Sequence, residues 1–124
     1  MSTRDNRPKR EILLVDDNPR VLRAMAELLR MEGFPVLTAQ NGWDALNRIK
    51  NDDNISLVLL DLWMTLMDGW EFLRRLKSDP AIADIPVVVL SAIPPVSLDG
   101  AETVLRKPVD PGLLIATVRR HCET

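Results

Sequence analysis

The chain holds one cysteine and one histidine in 124 residues. A lone Cys122 excludes an internal disulfide and removes any cysteine-based zinc cage. A lone His121 excludes a histidine-rich metal site and weakens any Ser-His or Cys-His nucleophile. No apolar run approaches the roughly 20 residues that a membrane helix needs, so no membrane span is expected. Residues 1–10 have no apolar stretch behind their charges, so they are not expected to be a secretory signal. Repeats, low-complexity tracts and interdomain linkers are also missing. What remains is 46% hydrophobic and 27% charged, the composition of one ordinary globular domain.

Charge is scarce in one respect only. Residues 1–10 carry a balance of +3, from Arg4, Arg7, Lys9 and Arg10 against Asp5. The remainder carries −5. An acidic body is a poor general nucleic-acid binder, because phosphate contacts need clustered Lys and Arg, so direct nucleic-acid binding is not expected. Composition makes residues 1–10 a disordered basic leader and residues 11–122 the folded domain.

Along that domain, strand and helix patterns alternate. Ile12-Leu13-Leu14-Val15, Val36-Leu37-Thr38-Ala39, Ser56-Leu57-Val58-Leu59-Leu60 and Val87-Val88-Val89-Leu90 read as short buried strands, and Thr103-Val104-Leu105-Arg106 as a weaker fifth. Helical spacing of apolar residues follows Asn18-Pro19, Asn41-Gly42, Asp68-Gly69 and Pro111. In the last helix Leu113, Leu114, Ala116, Thr117 and Val118 are available for packing. The alternation predicts an α/β fold, a doubly wound five-stranded parallel sheet in the order 2-1-3-4-5.

Polar residues close the strands. The first ends in Asp16-Asp17, the third in Asp61, the fourth in Ser91 and the fifth in Lys107. A parallel sheet gathers all of these at one edge. Three carboxylates crowded together repel one another unless cations balance them. Lys107 supplies one charge, and oxygen-only ligands suit Mg²⁺ for the rest. A carboxylate beside Mg²⁺ and Lys is set up as a nucleophile toward phosphorus. Asp61 closes the most buried strand and is the candidate acceptor; Asp16 and Asp17 are the candidate metal holders; Ser91 and Lys107 are the candidate phosphoryl-oxygen partners. Singly, each has a bland reading: Asp17 as a helix cap, Ser91 as a turn hydroxyl, Lys107 as a surface cation.

Val15-Asp16-Asp17-Asn18, the stretch from Leu60 to Gly69, Val89-Leu90-Ser91-Ala92 and Arg106-Lys107-Pro108 resemble the receiver domain of bacterial two-component response regulators. The resemblance runs from about Glu11 to His121. It implies a flavodoxin-like receiver fold over 11–122, in a single-domain form. By the same resemblance Asp61 takes a phosphoryl group, Asp17 binds Mg²⁺ directly, Asp16 acts mainly through metal-bound water, and the Trp63 carbonyl is a further ligand. The implied donor is a sensor histidine kinase or a phosphotransfer protein, with an unidentified protein as downstream target. The domain is then a cytoplasmic signalling switch or phosphorelay carrier, a monomer or weak homodimer. It is not a turnover enzyme, although it assists its own phosphorylation and dephosphorylation. The other reading is a receiver-like protein-binding module regulated without phosphorylation.

The sequence departs from the family pattern in four places. Thr65 stands where Pro is usual, which leaves the loop after Asp61 with an extra donor and less constraint. Trp63 places an indole where a small or polar side chain is more common, and it is expected to shield the phosphorylated carboxyl from water. Val104 replaces an aromatic. Only Ala92 to Asp99 separate Ser91 from Gly100, with Pro94 and Pro95 among them, so the helix of the fourth crossover is expected to be shortened or missing.

Overall fold

The computed structural model describes residues 11–95 and 98–122. The leader expected at residues 1–10 lies outside them. Five strands, β1 (Glu11–Val15), β2 (Val36–Ala39), β3 (Ile55–Asp61), β4 (Val87–Ser91) and β5 (Thr103–Arg106), pair in the order β2-β1-β3-β4-β5. Every pairing is parallel. Four helices, α1 (Pro19–Met31), α2 (Gly42–Asn51), α3 (Gly69–Lys77) and α4 (Pro111–Cys122), cover the two faces.

The faces follow from the period of two along a strand. Leu13, Val15, Val58, Leu60, Val87 and Val89 point to one side and pack with Ala45, Leu46 and Ile49 of α2 and Phe72, Leu73 and Leu76 of α3. Ile12, Leu14, Leu57, Leu59, Val88 and Leu90 point to the other and pack with Leu22, Ala26 and Leu29 of α1 and Leu114, Val118 and Cys122 of α4. β1, β3 and β4 are sandwiched, which is why they read as unbroken apolar runs. β5 sits at the edge and is only partly buried. Of the residues offered by α4, Leu114, Thr117 and Val118 are buried, whereas Leu113 and Ala116 are exposed. They face solvent because the apolar stripe of α4 runs through 114, 118 and 122.

Side-chain caps start the helices. Asn18, Asn41 and Asp68 accept backbone N–H groups at the N-termini of α1, α2 and α3. Asp110 Oδ2 accepts the Leu113 N–H at 2.9 Å and does the same for α4.

Among the described residues, no helix lies between β4 and β5. Residues 98–101 form a turn, with the Ala101 N–H donating to the Leu98 carbonyl and Gly100 at φ +93°. Leu98 and Ala101 pack against the α2/α3 side of the core. Pro94 and Pro95 deny the crossover a helix interior, and this turn covers part of α3 in its place. An open groove of about 660 Å³ remains beside it, lined by Trp70, Leu73, Lys77, Leu98 and Gly100.

Candidate functional site

The sheet order puts the ends of β1 and β3 side by side, with β4 next to β3. Asp16 follows directly on β1, and its backbone N–H donates to the Ala39 carbonyl at 3.2 Å, extending the sheet by one residue. Asp61 is the last residue of β3 and pairs in register with Leu90. Ser91, at the end of β4, is fully buried and pairs with Arg106. The next residue, Lys107, donates its backbone N–H to the Ser91 carbonyl at 2.9 Å, which fixes the start of its side chain at the same edge.

Four of the predicted residues therefore meet. Lys107 Nζ donates to Asp16 Oδ2 at 3.0 Å and to Asp61 Oδ1 at 3.1 Å. Asp16, Asp17 and Asp61 each present a carboxylate oxygen within 4.8 Å of the others. Asp16 and Asp61 are buried and Asp17 is half-buried. Two of the predicted residues are placed less directly. Ser91 Oγ accepts the Ile93 N–H at 3.2 Å, one residue beyond the register partner of Asp61. The Trp63 indole is half-exposed and meets Trp70 edge-on, with ring centroids 4.9 Å apart.

The electrostatics are unbalanced. Burial raises the pKa of Asp61, the charge of Asp16 raises it further, and the hydrogen bond and charge of Lys107 only partly oppose this. Burial alone would lower the pKa of the Lys107 ammonium, but its hydrogen bonds to Asp16 and Asp61 and their charges outweigh that and hold it above the ordinary value. The lysine is stabilised by the cluster while Asp61 is penalised by it. One ammonium facing three carboxylates leaves a deficit of positive charge. An all-oxygen set of hard donors with such a deficit fits Mg²⁺.

Two backbone N–H groups, from residues given no site role in the sequence, shape the site. The Asn18 backbone N–H donates to Asp16 Oδ1 at 2.9 Å, so Asp16 is held from both oxygens. Asn18, and not Asp17, caps α1, which leaves Asp17 free of that duty. The Thr65 backbone N–H donates to Asp17 Oδ2 at 2.9 Å. The loop after Asp61 is thus tied to the β1–α1 loop through the backbone donor that a proline at residue 65 would lack. The signal was present in the sequence as a non-proline at that position, but its target depends on the path of the loop.

A parallel sheet wound on both faces, with acidic strand ends and a lysine converging at one edge, defines a phosphoryl-handling α/β module of the flavodoxin-like type. The family described as response regulator receiver domain matches residues 12–119, and this chain belongs to it. It is 34% identical over 116 residues to the transcriptional regulatory protein CpxR homolog of Haemophilus influenzae, covering 88% of this chain and 48% of that protein. It is 33% identical over 106 residues to the two-component response regulator ORR5 of Oryza sativa subsp. japonica, covering 81% of this chain and 79% of that protein. It also matches CpxR of Escherichia coli at 48% identity over 54 residues, 44% of this chain and 22% of that protein. The matched stretches thus cover about a fifth of the enterobacterial relative and about half of the Haemophilus one.

Among solved structures, a response regulator receiver protein from Pseudomonas putida superposes with a TM-score of 0.84 at 26% identity, covering 94% of this chain and 99% of the other. The response regulator TrrA of Thermotoga maritima, in complex with Mg²⁺-BeF, superposes with a TM-score of 0.80 at 28% identity, covering 90% and 97%. Receiver domains are signalling modules that interact with histidine kinases or phosphotransfer proteins and bind Mg²⁺ at the acidic pocket. No helix among the described residues is long and apolar enough to cross a membrane.

Proposed function

We propose that Asp61 is the phosphoacceptor of a two-component or phosphorelay system, with Asp16, Asp17, Asp61 and the Trp63 carbonyl as the Mg²⁺-holding set. The observation that carries this reading is the double contact of Lys107 Nζ with Asp16 and Asp61 beside the three-carboxylate cluster. In the transfer step a carboxylate oxygen of Asp61 attacks phosphorus, an O–P bond forms, and the P–N bond of a phosphohistidine breaks. The imidazole leaves with the electron pair and takes up a proton. Bound Mg²⁺ would neutralise charge on the phosphoryl oxygens. Lys107, already 3.1 Å from Asp61, balances the negative charge that the transfer brings. Ser91, buried at the end of the neighbouring strand, offers its hydroxyl to a phosphoryl oxygen.

On this reading the domain spans residues 11–122 and receives its phosphoryl group from a sensor histidine kinase or a phosphotransfer protein in the cytoplasm. It catalyses no turnover on other substrates but assists its own phosphorylation and dephosphorylation. Its target is a protein, it makes no direct contact with nucleic acid, and it acts as a monomer or weak homodimer. Incubation with a small acyl-phosphate donor, followed by intact mass, tests the reading. One phosphoryl adduct is expected with Mg²⁺, and little when the metal is chelated or Asp61 is changed to Asn. Equal adduct on wild type and Asp61→Asn defeats it. No adduct from any donor, phosphohistidine included, leaves the module regulated without phosphorylation.

A further inference from the structure

We propose that the Thr65 backbone N–H is a positioning donor for the metal ligand Asp17, a role that proline, usual at this position in the family, cannot fill. The inference rests on the reading of Asp17 as a Mg²⁺ ligand. Thr65 N–H reaches Asp17 Oδ2 at 2.9 Å across 48 residues of chain, joining the β3–α3 loop to the β1–α1 loop. A hydrogen bond to an ionised acceptor is stronger than one between neutral groups. Proline has no N–H to give.

The donor is aimed by a built loop. Met67 N–H donates to the Thr65 carbonyl at 2.8 Å, closing a γ-turn with Leu66 at φ 68°. A non-glycine residue there costs about 1–2 kcal/mol, so the surroundings must hold it. They do: Met67 is buried in the core, and Gly69 N–H donates to the Leu62 carbonyl at 2.9 Å. The Leu66 side chain projects into solvent, so the turn is not kept by its packing. What the turn achieves is to present one N–H to one carboxylate.

The bond and the metal pocket are compatible. The structure that holds this bond also brings one carboxylate oxygen from each of Asp16, Asp17 and Asp61 within 4.8 Å of the others. A carboxylate has about four lone-pair sites, so Asp17 accepts from Thr65 and keeps an oxygen for the cation. Partners of this kind orient ligands before the ion arrives, and losing them weakens metal binding. Asn18 N–H does the same for Asp16, so both neighbouring aspartates are held by backbone donors.

The test is Mg²⁺ affinity, read from amide chemical shifts as the free metal is raised. Thr65→Ala keeps the N–H and is expected to bind within about twofold of wild type, while Thr65→Pro loses it and is expected to bind about tenfold more weakly. The same spectra report whether each variant is folded. Should proline disturb the loop, an amide-to-ester replacement at residue 65 removes the N–H alone and is expected to weaken binding similarly. Wild-type affinity in both the proline and the ester forms overturns the proposal, as does an equal loss in Thr65→Ala. If wild type itself shows no Mg²⁺-dependent shifts, the metal reading of the site fails, and the proposal with it.

Discussion

Asp61 is held in a position that disfavours its charge, between burial on one side and Asp16 on the other, with Lys107 as partial relief. That is the state a metal cation relieves. A second carboxyl lies at the opposite end of the sheet. Glu11 has its pKa raised from 4.5 to about 7 by a hydrogen bond with the Asp52 carboxyl, by burial and by the charge of Asp52. The folded state therefore holds the Glu11 proton more tightly than the unfolded chain does. Stability from this group is complete below about pH 4.5 and is lost as pH rises through about 7. Glu11→Gln does not titrate, so denaturant unfolding at a series of pH values should show a smaller decline across that window than wild type shows. Parallel pH profiles for the two proteins would refute the assignment. At the rim of the site, Trp63 leans on Trp70. The indole pair is expected to slow water attack on phosphorylated Asp61, so Trp63→Asn should dephosphorylate several-fold faster. Equal or slower hydrolysis in the variant contradicts this.

At the scale of elements, the strands and their polar ends were legible because buried parallel strands are short, apolar and punctuated. Val15-Asp16, Leu60-Asp61 and Leu90-Ser91 each mark the place where an apolar run meets the sheet edge. That no helix lies between β4 and β5 among the described residues agrees with the shortened or missing helix read from Pro94 and Pro95. Other features were not legible. The path of the β3–α3 loop, and hence the target of the Thr65 N–H, depends on contacts between segments distant in sequence. The influence of Asp52, at the end of α2, on Glu11 in β1 likewise depends on segments distant in sequence. Close packing also fixes the loop. A Cβ at Gly69 would lie 2.8 Å from Leu62 Cα, next to Asp61, so α3 starts where it does because residue 69 has no side chain. Gly69→Ala should destabilise the fold by about 1–3 kcal/mol, measured by denaturant unfolding. A variant as stable as wild type would show that the loop yields easily.

The whole molecule is two helix-covered faces around one sheet, and that division separates stability from chemistry. Both apolar clusters fill the layers between sheet and helices, while the acidic cluster sits at the carboxyl edge, where strand ends give way to loops. The faces can be packed tightly without constraining what the edge binds. Among the described residues no helix lies between β4 and β5, and α3 is flanked by an open groove lined by Trp70, Leu73, Lys77, Leu98 and Gly100. The central claim concerns the edge, namely that carboxylates from two strands and a lysine after a third converge so that Asp61 takes up phosphorus. Locating the phosphoryl group tests it most directly, by reductive trapping of the acyl phosphate formed with Mg²⁺ and peptide mapping by mass spectrometry. The label is predicted on Asp61, with Asp16 and Asp17 unmodified; a label on either neighbour, or on any residue outside this edge, would contradict the account.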